Sequence, residues 1–197
     1  MRRSALTALV VPLLAAGCAA PAYVSPVEVT RFVGPSPAYL GQGTIELVAG
    51  PGEAADSLEY SVYRDAVRRE LEMLGYRVVA QNAQQVASVQ FEDYVGDEIR
   101  RRGPVNVGVG GSTGSYGSGV GVGVGLDLTP RPAERILREI SVAIRPAGGG
   151  TNLWEGRASM TATVNSDMAD DRAAAARIAD ALFAGFPGNS GETIEVE

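Results

Sequence analysis

Across 197 residues there is no histidine and no lysine, and the one cysteine is Cys18. Histidine-based nucleophilic triads, lysine Schiff bases, histidine-ligated metals and internal disulfides are therefore excluded. Side-chain chemistry falls to 23 Asp and Glu, 17 Arg and the hydroxyls. Two carboxylates converging in a cleft could do acid–base work, but no spacing here singles out a pair. The densest acidic group is Ser166, Asp167, Asp170 and Asp171. It lacks the ligand spacing and the glycine of an EF-hand loop. Acids are also common in a first helical turn, where they complement the dipole, and that is the expectation here. No cofactor and no metal are expected.

Two further stretches invite a chemical reading. Gly117, Gly119, Gly121, Gly123 and Gly125 recur every second residue. That period cannot give the G-x-G-x-x-G of a dinucleotide loop, and a Walker loop needs the lysine that the chain lacks. Period two means strand. Arg100-Arg101-Arg102 could contact an anionic headgroup or an acidic partner; the plainer reading is a solvated strand end offset by Asp93, Asp97 and Glu98.

The elements that must position these residues follow from periodicity. Met1-Arg2-Arg3 precedes an apolar run from Ala5 to Ala16, too short to span a bilayer and shaped like a secretory signal. Residues 18–26 read as a tether and 27–197 as a single domain. Strands are expected at 27–33, 44–48, 76–80, 87–92, 140–144 and 154–164. Helices are expected at 56–74, opened by Asp56 with Glu59 as a capping box, and at 166–184, capped by Ser166. Leu71, Leu74, Ile178 and Leu182 should pack the helices onto the sheet, and a polar tail should follow Gly188. The fold class is α+β: a twisted, mainly antiparallel sheet with two helices on one face, plus a Gly-rich β-hairpin.

That hairpin occupies residues 103–128. Val105, Val107 and Val109 form one arm, and Val120, Val122, Val124 and Leu126 the other, around a polar loop at 110–118. One face is valine and the other is bare glycine: Gly119, Gly121, Gly123 and Gly125. Glycine inside a strand is unfavourable, and close approach by a partner or a second copy would offset it. A solvent-facing hairpin tolerated by the rest of the sheet is the competing reading.

Leu14-Ala15-Ala16-Gly17-Cys18 resembles the lipobox of bacterial lipoproteins. The resemblance implies cleavage before Cys18 and acylation of that residue, with several acyl chains making a firm anchor at about 0.8 kcal/mol per buried methylene. Ala19 follows the cysteine, so the outer membrane, facing the periplasm, is the expected site. Loss of Arg2 and Arg3 with the leader leaves 15 Arg against 23 acids. So acidic a chain is a poor nucleic-acid binder.

Further features carry a second resemblance: Pro26-Val27-Glu28-Val29-Thr30-Arg31-Phe32, Leu74-Gly75-Tyr76, the Val-Gly alternation at 119–125, and Phe186-Pro187-Gly188-Asn189-Ser190-Gly191-Glu192-Thr193. Together they look like the bacterial lipoproteins of domain of unknown function 4136. That family implies an envelope-anchored α+β domain and supplies no catalytic residue. The expectation is a non-enzymatic envelope lipoprotein that binds or scaffolds an envelope partner or associates with itself. The alternatives are an apolar-ligand or lipid carrier, needing a cavity of several hundred Å³ between sheet and helices, and a hydrolase using carboxylates alone.

Overall fold

The computed structural model of the protein describes residues 20–96, 105–114, 117–126 and 133–197. The expected leader 1–17, Cys18 and Arg100, Arg101 and Arg102 lie outside the described residues. The described chain divides into two compact units: one spans Ala22–Gly96 with Glu134–Glu197, and the other contains the segment Asp97–Ala133.

In the first unit the strands are β1 (Val27–Val33), β2 (Thr44–Ala49), β3 (Arg77–Val78), β4 (Gln85–Gly96), β7 (Arg135–Pro146), β8 (Trp154–Thr163) and β9 (Glu192–Val196). They form one seven-stranded sheet in the order β3-β2-β4-β7-β8-β1-β9. β2 runs parallel to β3 and β4, and every other pairing is antiparallel. The helices α1 (Leu58–Met73) and α2 (Asp171–Phe183) lie on one face. The α+β class and the mainly antiparallel sheet agree with the sequence reading.

Alternation explains which face is covered. Val27 and Val29 of β1, Ala87 and Val89 of β4, Ile140, Val142 and Ile144 of β7, and Ala158 and Met160 of β8 are buried under the helices. Their strand neighbours point the other way, as a two-residue period requires. α1 contributes Tyr60, Tyr63, Ala66, Val67 and Leu71 to the same core, and α2 contributes Ala174, Ala175, Ile178, Ala179 and Leu182. Leu71 is fully buried. Leu71→Ala is therefore expected to lower stability by about 2–5 kcal/mol. A urea midpoint giving less than about 0.5 kcal/mol, the surface range, would contradict that packing.

The helix ends differ from the sequence expectation, and the reason is local hydrogen bonding. Ser57, not Asp56, caps α1: its Oγ accepts the Tyr60 N–H at 3.0 Å. The other end closes as expected at Gly75, whose φ of +104° only glycine adopts readily. The N–H groups of Gly75 and Tyr76 bond back to the carbonyls of Glu72 and Leu71, each at 3.1 Å. That pair of bonds is a Schellman closure. Ser166 does not open α2. A short 3-10 turn at Asp167–Ala169 intervenes, and Asp170 caps the helix by accepting from Ala173 N–H at 2.9 Å.

Three further bounds are corrected. The strand expected at 76–80 is only Arg77–Val78. Val164, expected on the inward face of the 154–164 strand, lies beyond its end and is exposed. The expected polar tail is in fact β9, which pairs antiparallel with β1 over Val27–Arg31. Only Ile194 and Val196 carry its apolar side, too short a signal to separate an edge strand from a tail.

In the second unit β5 (Val105–Gly114) and β6 (Gly117–Leu126) form a separate two-stranded antiparallel sheet. The hairpin is as expected, but its loop is not 110–118. Pairing runs on through Ser112↔Gly119 and Thr113↔Ser118 to Gly114↔Gly117.

Candidate functional site

Arg138, one of two buried arginines among the described residues, is 3% exposed and centres a cluster of charged side chains. Its parity on β7 places it with Ile140, Val142 and Ile144 on the helix side of the sheet. The guanidinium bonds Asp93 at 3.3 Å and Asp171 at 2.5 Å, and donates to the carbonyls of Met168 and Ala169. The Tyr63 hydroxyl donates to Asp93 at 3.1 Å. Burial pushes the Tyr63 phenol far above its ordinary range, and the Asp93 charge adds to it. For Arg138 burial acts to lower the pKa, but Tyr63 and Asp93 outweigh it and hold the guanidinium above its usual value. Every partner is a protein group that needs a donor. The cluster fastens the chain entering α2 to the sheet.

Arg31 does the same at the other end of that helix. It is 5% exposed on β1, and its Nε and Nη2 donate to the carbonyls of Leu182 and Ala181 at 3.0 and 2.9 Å. Burial lowers its pKa, with Glu192 opposing. A cation is well placed at a helix C-terminus, where carbonyls lack intrahelical partners. Two buried arginines thus hold the two ends of α2. Sequence reasoning missed both, although a signal existed. Arg31 falls on the apolar stride of Val27, Val29 and Val33, and Arg138 on that of Ile140, Val142 and Ile144.

The acidic group at 166–171 resolves into separate duties. Asp170 caps α2, Asp171 pairs with Arg138, and Ser166 Oγ donates to Thr163 O at 2.7 Å. Among the described residues no group of three His, Cys, Asp or Glu side chains is placed to hold a metal ion. Asp93 pairs with Arg138 and accepts from the Tyr63 hydroxyl. Glu70 is a carboxylate with a raised pKa, pushed up by burial and by Asp180. It lies on α1 beside α2, away from the groove described next.

Within the first unit no element covers the sheet face opposite the helices. Over β1, β4, β7 and β8 that face forms a shallow groove of about 620 Å³ whose lining includes Glu28, Phe32, Gln90, Ser141, Glu155 and Arg157. Register places Glu92 opposite Glu139, Glu139 opposite Ser159, Ser159 opposite Glu28 and Glu28 opposite Glu195. One row across five strands therefore carries four carboxylates. Directly opposed like charges disfavour a sheet by a few tenths of a kcal/mol to about 1 kcal/mol each. Arg157 offsets part of this, with its Nε 3.1 Å from Glu139 Oε1. No residue of this row was singled out from sequence, because the row exists only once distant strands are in register.

The hairpin register sorts the residues by type. Val105, Val107 and Val109 stand opposite Leu126, Val124 and Val122. Gly108 and Gly110 stand opposite Gly123 and Gly121, Asn106 opposite Gly125, and Ser112 opposite Gly119. Like thus stands opposite like along most of the ladder, and Gly119, Gly121, Gly123 and Gly125 hold alternate positions of β6. Among the described residues no helix is long and apolar enough to cross a membrane.

A family model described as "Domain of unknown function (DUF4136)" matches residues 44–188. No curated protein matches the chain significantly. Among solved structures, a PDZ domain protein from Parabacteroides distasonis ATCC 8503 is similar at 12% identity and a TM-score of 0.48, over 88% of this chain. The chain spans 38% of that protein's length. A PelC dodecamer from Paraburkholderia phytofirmans is similar at 14% identity and a TM-score of 0.43, over 83% of this chain and 99% of PelC. The family match covers most of the sequence, from the second strand of the sheet to the turn after α2, and on that extent the chain belongs to the DUF4136 family.

Proposed function

We propose that this protein is a lipid-anchored component of the bacterial envelope whose domain binds or scaffolds another envelope component without catalysis. The observation that carries the reading is Leu14-Ala15-Ala16-Gly17-Cys18, a lipobox-like end to an apolar leader that falls on the chain's one cysteine. Only a short stretch separates Cys18 from the first pairing of the fold, Val24 with Ala162. The anchor therefore keeps the domain close to the bilayer, on the outer membrane facing the periplasm. The sheet face opposite the helices, with its polar groove, supports a binding role. Helices and sheet meet through closely packed side chains such as Leu71, Ile140, Ile178 and Leu182, which favours surface binding over carriage of an apolar ligand inside the core.

Intact-mass analysis of the protein from the membrane fraction tests the anchor. The expected species begins at Cys18 and carries added acyl mass, and Cys18→Ser should release the domain or leave it unprocessed. An unmodified chain beginning elsewhere would end the reading. Crosslinking in the native envelope would then identify what the domain holds.

A further inference from the structure

The β5–β6 hairpin is two strands wide and pairs with no other strand among the described residues. A two-stranded ribbon in water is marginal by itself. Among the described residues no strand pairs with either outer edge, and natural proteins blunt such edges with charges, prolines or bulges. This hairpin has none of the three. From 105 to 126 no residue is charged and none is proline. The ladder joins ten consecutive residue pairs with no bulge.

We propose that the hairpin is a self-assembly element, in which the β6 edge of one copy pairs antiparallel with the β5 edge of the next. The choice of occupant rests on the ladder already present. β6 accepts β5 on its inner edge, Val against Val and Gly against Gly. A second copy offers its outer edge the same sequence, and repeating the register would set Val107 and Val109 of one copy beside Val124 and Val122 of its neighbour. A chain with 23 acids against 17 arginines repels its own copies, and the uncharged hairpin is where they can meet closely. Antiparallel pairing of β6 with a neighbour's β5 repeats the ladder that the hairpin already makes within one copy. That contact is head-to-tail, so it builds a ring or an open row and not a closed dimer.

The test uses the full chain extracted from membranes in mild detergent, with particle mass measured by light scattering corrected for detergent. Wild type is expected as assemblies of three or more copies. Gly121→Lys with Gly123→Lys puts charged residues on β6, the means by which natural edge strands are kept from pairing, and should reduce the particle to one copy. Gly121→Thr with Gly123→Thr fills the glycine face, favours strand and keeps the edge pairable, so assembly should persist with an equal or higher Tm. A monomeric wild type would overturn the proposal, as would assembly that survives the Lys pair. Loss of assembly in the Thr pair would also overturn it, assigning the contact to the glycine face. Intact mass at Cys18 separates the two readings. Assemblies of an unacylated chain retire the anchor and leave edge pairing standing, whereas acylated monomers do the reverse.

Discussion

Replacement of Arg138 by Met is expected to lower folding stability by about 3 kcal/mol. Truncating one partner of a buried ion pair costs about 3–5 kcal/mol, because a charge is left uncompensated. The lower end applies because the side chains of Asp93 and Asp171 are 21% and 48% exposed and recover some hydration. The carbonyls of Met168 and Ala169 lose their donor at the same time. Arg138→Lys should rescue little, since an ammonium lacks the planar fork that reaches several acceptors together. Adding Asp93→Asn to Arg138→Met should recover about 1 kcal/mol, by removing the stranded charge while Asn still accepts from the Tyr63 hydroxyl. Urea midpoints at constant slope are the measurement. A loss under about 1 kcal/mol for Arg138→Met would put the pair in the class of solvated surface bridges and leave α2 fastened by other means.

What the sequence disclosed and what it withheld divide along one line. Period-two alternation is local, so Val27–Val33 was legible to the residue and the core faces of β4, β7 and β8 were assigned correctly. The stripe of α1 and its glycine stop are equally local. The hairpin was legible for the same reason, although Ser112, Thr113 and Ser118 were read as loop because polar residues dominate that span. Which side-chain oxygen caps a helix was less secure, since neighbouring Asp and Ser residues compete for one role and geometry decides between them. The glutamate row was not legible at all. Glu92, Glu139, Glu28 and Glu195 each look like ordinary outward residues on their own strands, and only long-range register lines them up. Arg31 and Arg138 stand between these cases. Their parity marks them as inward, but nothing local says that α2 brings its two ends to them.

The second large effect is expected at Trp154, the single tryptophan of the chain. The indole is fully buried at the start of β8. Its ring centroid lies 5.3 Å from that of Phe183 and 5.2 Å from that of Phe186, and its Nε1–H donates to Pro187 O at 2.9 Å. It thereby ties the last turn of α2 and the segment after it to the sheet. Trp154→Ala should cost about 3–5 kcal/mol, from lost burial and the cavity left behind. Trp154→Phe keeps most of the apolar volume but orphans the carbonyl, so about 1–3 kcal/mol is expected. The neighbouring Gly156 explains how the indole fits. A Cβ there would stand 2.7 Å from Trp154 Cζ2 and 2.8 Å from Leu182 Cδ1, closer than carbon atoms approach. Gly156→Ala is accordingly expected to displace the ring and cost about 1–3 kcal/mol, as overpacking does. The same variant should shift tryptophan emission to the red, because the displaced indole meets water. Phe32→Ala, on the opposite sheet face at 53% exposure, is the control and should change stability by no more than about 0.5 kcal/mol. Unchanged emission and stability in Gly156→Ala would show that the indole does not lie over Gly156.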